Sequence, residues 1–246
     1  SSDLAGRPVA AISVDSTSGT FVPVDVVGAP LHPALMYNDN RAKGLEAAVN
    51  EAAGDFCDRL GYTFPPAFAL VKLAWIAKEQ PELLARTAKF LHPADWLVGQ
   101  LTGDFNVTDT SNALKSGVDL ITGHWPDFIE NKLGISLEKL PRIVRPGEQV
   151  GEVSKAAAAH TGLQQGTPVI AGASDGTASF LASRASAVGD WNLTLGSTIA
   201  IRGVSGELVR DPQGRLYCHR HPEGWWLPGG ASNCGGEALT KTFDVA

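Results

Sequence analysis

The residues best equipped for chemistry lie in a few short strings. Gly172-Ala-Ser174-Asp175-Gly176 sets a hydroxyl beside a carboxylate at the end of an apolar run. The string matches G-x-S-x-G, the pattern of a nucleophile elbow, in which Ser174 would attack a carbonyl. An Asp and then a His must follow, and Asp190 or Asp211 with His219 or His221 meets that order, although no HGGG-type oxyanion segment precedes Ser174. Asp175 opens a second chemistry. A carboxylate at the end of a buried strand can take the proton of a hydroxyl, and phosphoryl transfer asks little more of a protein than positioning and charge neutralisation. The same carboxylate would also serve as a helix N-cap, and five small residues would let a strand and a helix pack closely.

Three other strings offer hydroxyls and backbone amides. Ser16-Thr17-Ser18-Gly19-Thr20 ends an apolar run, where α/β sheets place ligands, though a plain turn has the same composition. Gly196-Ser197-Thr198 lies between two apolar stretches and can present N–H groups and hydroxyls to a phosphate, as can many ordinary hairpins. In the Gly-rich string 229–236, Gly230 and Gly235 have P-loop spacing, but Gly236 and Glu237 stand where Lys and Ser/Thr are required, so the P-loop reading fails. His219-Arg220-His221 would put two imidazoles on one strand face, with no third zinc ligand evident from spacing. No GxGxxG supports a nicotinamide cofactor.

These strings need elements to hold them. Residues 9–15 and 21–27 read as two strands around the hydroxyl loop. Residues 40–135 turn helical: 67–77 carries Leu70, Leu73 and Ile76 at helix spacing with Lys72 and Lys78 flanking, Pro81 starts another helix, and Asp95 caps one that Gly103 stops. Pro126 opens a further helix ending at Gly134. Trp75, Trp96 and Trp125 read as core, with sugar stacking the alternative. Residues 136–153 read as a connection with a short strand near Val150, and Ser154 caps an Ala-rich helix closed by Gly162. Then come a buried strand over 168–173, a turn at 174–177, a helix over 178–186, and strands over 191–195, 199–201, 215–220 and 225–228. The Gly-rich string follows as a loop that opens a helix at Glu237.

Composition narrows the class. With 43% hydrophobic and 19% charged residues among 246, the chain is neither disordered, collagen-like nor a disulfide scaffold. A net charge of −6 argues against sequence-independent binding to nucleic acid or an anionic membrane. Cys57, Cys218 and Cys234 form no CxxC pair and read as reduced thiols. No apolar run approaches the roughly 18 residues of a membrane span, and the N-terminus lacks a signal-peptide pattern, so a cytoplasmic location is expected. The chain begins at Ser1 with Met36 as its single methionine, which fits either a removed initiator or a piece of something longer.

Taken together the strings resemble the FGGY carbohydrate kinases. The marks are residues 11–20, Leu35-Met-Tyr-Asn-Asp-Asn-Arg-Ala42, Val71-Lys-Leu-Ala-Trp75, Asp95-Trp-Leu with Leu101-Thr-Gly103, Ser111-Asn-Ala-Leu-Lys115, Ala171 to Ala178, Leu195-Gly-Ser-Thr198 and the 229–236 string. Within the family they are most similar to the D-ribulose kinase branch of cyanobacteria and plants, first labelled xylulokinase-like. The resemblance implies an α/β, actin/ribonuclease-H-like fold, with residues 1–166 as the sugar-binding domain and 167–246 as the start of the nucleotide-binding one. It implies ATP with Mg²⁺, a pentulose as acceptor, and a homodimer, with no nucleic-acid or membrane partner. Asp175 falls at the catalytic base, Thr17 and Ser18 in the sugar-contacting loop, Gly196, Ser197 and Thr198 in a phosphate turn, and Gly229 and Gly230 along the cleft. Small hydroxyls at 17 and 18 replace the bulkier Arg-Glu or Met-His pairs of glycerol kinases and xylulokinases. Residues 1–14 lack the family's first Asp-Gly-Thr hairpin, and no Gly-Gly-Gly adenosine segment follows the 229–236 string. The chain is therefore expected to be truncated at both ends and inactive alone, with a non-catalytic sugar-binding fragment as the remaining reading.

Overall fold

The structure, a computed structural model, describes residues 8–196, 199–211, 215–232 and 235–236. Its elements begin β1 Ile12–Ser13, β2 Val22–Val24, α1 Glu46–Ala53, α2 Asp55–Leu60, α3 Ala69–Glu79, α4 Pro81–Arg86, β3 Lys89–Leu91 and α5 Pro93–Thr102. They continue β4 Val107–Asp109, α6 Thr110–Ala113, α7 Phe128–Asn131, β5 Arg142–Val144, β6 Gln149–Glu152, α8 Lys155–Thr161, β7 Pro168–Ile170 and α9 Asp175–Ala182. Strands close the series: β8 Trp191–Leu195, β9 Ile199–Gly203, β10 Tyr217–Arg220 and β11 Trp226–Ser232.

Two sheets matter for the site. One has the order β1-β7-β6, with β1 and β7 parallel. The other is antiparallel, in the order β10-β11-β9-β8. β7 starts one residue past the 166/167 junction expected from the sequence, and it pairs with β1 and β6. The strands on either side of the hydroxyl loop do not share a sheet: β2 pairs with β3, because Phe21 exchanges backbone hydrogen bonds with Leu35 (3.2 and 2.8 Å) and turns the chain away.

The largest core is aromatic. Phe56, Phe64, Phe68 and Tyr62 gather with Leu70, Leu73 and Ile76 of α3, and Phe56 stacks on Phe64 at 5.8 Å. Each such side chain contributes about 1.5–3 kcal/mol on burial, which makes α3 a firm base for what packs on it. Lys72 departs from the flanking position expected of it. It is fully buried, and its ammonium donates to the carbonyls of Ala67 (3.0 Å), Phe68 (3.4 Å) and Pro66 (3.5 Å) at the start of α3. Burial brings its pKa down to about 8, against the pull of the Asp39 carboxylate.

Several local readings hold, and others shift. Pro81 starts α4, and Ser154 caps α8 through its Oγ to Ala157 N–H (3.1 Å), with Gly162 left-handed at the end. In α5 His92 takes the N-cap position and Asp95 the third turn residue, its carboxylate accepting from His92 N–H (2.9 Å) in a capping box. Asp95 is thus the return half of the cap. α7 is a single turn, and β5, inside the expected connection, pairs with β4. β11 runs on through Gly229, Gly230 and Ser232, so the first half of the Gly-rich string is strand; Glu237 lies outside the described residues. Trp75 and Trp125 pack on the aromatic core and Trp96 on Val22, Val24 and Leu91. Among the described residues no helix is long and apolar enough to cross a membrane.

Candidate functional site

The site begins where β1 and β7 end side by side. Their parallel register, Ile12 with Val169 and Ser13 with Ile170, continues as a bridge between Ser16 and Ser174. Asp175 N–H donates to the Ser16 carbonyl at 2.8 Å. The hydroxyl loop and Asp175 therefore leave the sheet as neighbours. The crossing is tight: a Cβ on Gly172 would lie 1.9 Å from the Val14 carbonyl oxygen, so only glycine fits.

Asp175 is the first residue of α9, with an exposed carboxylate whose Oδ1 accepts from Gly176 N–H (2.6 Å). Ser174, not Asp175, takes the N-cap position. Behind both lies a buried relay. Asp109 caps α6, accepting from Ser111 N–H (2.8 Å), Asn112 N–H (3.1 Å), the Asn112 amide (2.6 Å) and the Ser111 hydroxyl. Ser111 Oγ in turn accepts from Ser174 N–H at 2.7 Å.

The hydrolase constellation does not assemble. Ser174 is 2% exposed, and its hydroxyl bonds Thr177 Oγ1 at 3.0 Å, with no imidazole among its partners. Asp190 accepts from the backbone of Ser186 and Ala187, Asp211 pairs with Arg215, and His221 Nδ1 accepts from Glu223 N–H. The five small residues let the β7–α9 turn cross β1.

A cavity of about 380 Å³ opens between Asp175 and the second sheet. The sheet's two faces differ. Asn192, Thr194, Arg202 and Tyr217 line the cavity, while Trp191, Leu193 and Leu195 of the alternate positions point away and are exposed. Gly229 pairs with Arg202 and Gly230 with Ile201, and both glycines line the cavity. Gly196 follows β8, and its carbonyl accepts from Gly236 N–H (2.7 Å), which joins the phosphate-turn string to the Gly-rich one. Ser197 and Thr198 lie outside the described residues.

In the hydroxyl loop Ser18 is buried and Thr17 half-buried, while Thr20 Oγ1 accepts from Tyr37 N–H (3.1 Å). Gly19 has φ +79°, and a Cβ there would meet the Ala67 carbonyl at 2.8 Å and Lys115 Cδ at 3.1 Å. Lys115 thus borders the loop, its ammonium over the Phe68 ring at 5.7 Å.

A family model described as FGGY family of carbohydrate kinases, N-terminal domain, matches residues 1–182. The chain belongs to that family. It is 32% identical to a xylulose kinase of Streptomyces coelicolor over 91% of this chain and 47% of the relative. A gluconokinase of Bacillus subtilis is 29% identical over 95% and 46%. A solved xylulose kinase from Rhodospirillum rubrum superposes with a TM-score of 0.88 at 28% identity, covering 96% of this chain and 49% of that one. The fold is the actin/ribonuclease-H-like fold of the FGGY kinases. The chain spans about half the length of the curated relatives it matches.

Within this FGGY site sequence alone assigns no role to Lys115, Arg202 or Tyr217 and reads His219 only as a triad or paired histidine; the first three interact with the Asp175 charge, and His219 with Arg202 and Lys115. Burial lowers the pKa of Lys115 and of Arg202, with the Asp175 charge pulling the other way in each. Burial also raises that of Tyr217 and drives that of His219 well below the usual imidazole range, the latter helped by the Arg202 and Lys115 charges. Polar and apolar residues alternate along β8 but not along β9, so nothing local marked Arg202, and Lys115 stood out only as the end of the Ser111–Lys115 string.

The donor set also bears on Mg²⁺. Among the described residues no three His, Cys, Asp or Glu are grouped to hold a metal, and Asp175 is the one carboxylate lining the cavity. A magnesium ion that keeps its waters and nucleotide oxygens needs only one or two carboxylates, so these residues fit an ion carried in by a nucleotide rather than an all-protein cage.

Two histidines give opposite pH signatures. In His92 burial opposes the charge, but Asp95 at 2.7 Å raises the pKa above the usual value. Its stabilisation is present below the unfolded value and lost as pH rises through the folded one. His219 is held neutral, so its contribution is present above the unfolded value and lost on acidification. Chemical denaturation across pH should peak near about 6.5. His92→Gln should flatten the alkaline limb and His219→Phe the acid limb; an unchanged curve in both variants would remove these assignments.

Proposed function

We propose that this chain is the sugar-binding part and the start of the nucleotide-binding part of an ATP-dependent pentulose kinase that converts D-ribulose to D-ribulose 5-phosphate. On this reading residues 1–166 serve the acceptor and 167–246 open the nucleotide-binding domain. The observation that carries it is the exposed Asp175 carboxylate, held at the cavity mouth one strand from the Thr17–Ser18 loop. Asp175 takes the proton of the terminal hydroxyl of the open-chain sugar. The freed oxygen bonds the γ-phosphorus as the bond to ADP breaks. Mg²⁺ carried on the nucleotide by its waters and phosphate oxygens would supply charge neutralisation, with Asp175 the one carboxylate among the described residues lining the cavity. Gly196 with Ser197 and Thr198, and Gly229 with Gly230, offer backbone to the phosphates and cleft. A cytoplasmic location and a homodimer belong to the same reading.

The small side chains at 17 and 18 support D-ribulose. The relatives named xylulose kinase and gluconokinase make D-xylulose and D-gluconate the second reading. ADP release by a chain extended to the length of its relatives should show the highest kcat/KM with D-ribulose; a preference for either other sugar overturns the assignment. The 246-residue chain alone should turn over none of them, and measurable phosphorylation by it would refute the division of the nucleotide site.

A further inference from the structure

We propose that Arg202 is a further catalytic residue, the one that grips the phosphoryl group during transfer; this rests on the kinase reading above. Arg202 reaches the base from the second sheet. Its stem crosses Gly229, where a Cβ would lie 3.3 Å from both Cβ and Cγ of the arginine. Its guanidinium arrives at the first turn of α9, 3.8 Å from a Cβ placed on Gly176, and donates to Thr177 Oγ1 at 3.3 Å. That one long hydrogen bond uses little of a fork with five N–H donors.

Three observations say that a ligand anion completes the site. First, neither Arg202 nor Lys115 forms an ion pair among the described residues, although both are largely desolvated. Two such cations around one carboxylate leave an excess of positive charge in a chain whose net charge is −6. Desolvated charge without a partner is costly, and an entering anion offsets that cost. Second, His219 is 2% exposed and its Nδ1 has no hydrogen-bond partner. Its ring lies 5.4 Å from that of Tyr217, which lines the cavity. Third, the cavity beside Arg202 adds Asn192, whose Oδ1 accepts from the Thr194 hydroxyl at 2.9 Å and whose amide N–H groups suit oxyanion oxygens.

The two cations divide the work by position. Lys115 touches the hydroxyl loop through Gly19 and so stands on the acceptor side of Asp175. Arg202 comes from β9 beside Gly229 and Gly230, on the side assigned to the nucleotide. A planar fork suits two phosphoryl oxygens at once, and charge placed there before the reaction stabilises the transition state without reorganisation. A carboxylate on a sugar-acid acceptor has the same chemistry, and the test separates the two.

The test is isothermal titration of the 246-residue chain with inorganic phosphate, D-gluconate and D-ribulose, with thermal melts to verify folding. Phosphate should bind, and Arg202→Gln should weaken it about tenfold or more, the loss of one charge-assisted hydrogen bond or more, while D-ribulose affinity stays the same. Arg202→Lys, which keeps the charge but not the fork, should fall between. The His219 ring, followed by NMR, should titrate at higher pH in Arg202→Gln and in the phosphate complex. Phosphate that fails to bind, or binds Arg202→Gln as it binds the wild type, overturns the proposal. So does D-gluconate that competes with phosphate and depends on Arg202, which would make the arginine an acceptor-carboxylate reader. A wrong sugar assignment, by contrast, shows only in turnover and leaves phosphate binding intact.

Discussion

Asp175→Asn should stop sugar phosphorylation and leave nucleotide binding in place. Asparagine keeps the size of the side chain and an oxygen to accept from Gly176 N–H, now 2.6 Å from Asp175 Oδ1, so α9 should start as before. What it lacks is a basic oxygen for the acceptor's proton. Losing a positioned general base costs about 10²–10⁴-fold in rate, and in a chain extended to the length of its relatives the loss should fall on kcat with KM for ATP unchanged. ADP-release kinetics with nucleotide titration reads both. Turnover at the wild-type rate would end the base assignment. The rival chemistry makes the opposite demand, since a nucleophilic Ser174 would react with a fluorophosphonate. Ser174 is 2% exposed and bonded to Thr177, so no label is expected there.

Much of this arrangement was legible because it is local. Strand, small polar turn and helix follow one another around Asp175, and the hydroxyl loop follows β1, so pattern alone placed the loop and the carboxylate at strand ends. The cap at Ser154, the stop at Gly162 and the hairpin of β8 and β9 are likewise short-range. What escaped was set by distant partners. The loop's two strands enter different sheets because Leu35 captures Phe21. Lys72 reads as a surface residue because lysines are almost never buried without a partner, and here three carbonyls at the start of its own helix supply one. Gly229 and Gly230 read as loop because glycine weakens strands; their reason is close approach, to Ile201 and Arg202 for the first and to Arg215 and Leu216 for the second. Lys115, in the turn after α6, and Arg202, on β9, lie far from Asp175 in the chain, and only tertiary packing reveals that they flank it.

Asp109→Ala should be the most destabilising single change near the site, although Asp109 touches no ligand. The carboxylate is 4% exposed, and burial raises its pKa while the hydrogen bonds from Ser111 and Asn112 pull it back. Alanine would strand two backbone N–H groups, the Ser111 hydroxyl and the Asn112 amide, and remove the cap of α6. Buried donors left unpaired cost about 1–3 kcal/mol each and a lost cap about 1, with partial relaxation, so a net loss of about 4 kcal/mol is expected. In a chain of this size that lowers the thermal midpoint by roughly 10 °C. Asp109→Asn keeps one acceptor oxygen for the two backbone N–H groups but sets an amide against the Asn112 amide, and should lose about half as much. The effect should also reach the reaction. With Ser111 released, Ser174 N–H loses its 2.7 Å acceptor and the start of α9 loses the anchor that aims Asp175. Below its melting range the Ala variant should therefore show reduced kcat with KM for the sugar little changed, the mark of a positioning residue, while Asn, which keeps the oxygen that Ser111 donates to, should lose less. A midpoint within about 2 °C of the wild type for Asp109→Ala, less than 1 kcal/mol here, would mean that Asp109 does not hold this end of the sheet in place.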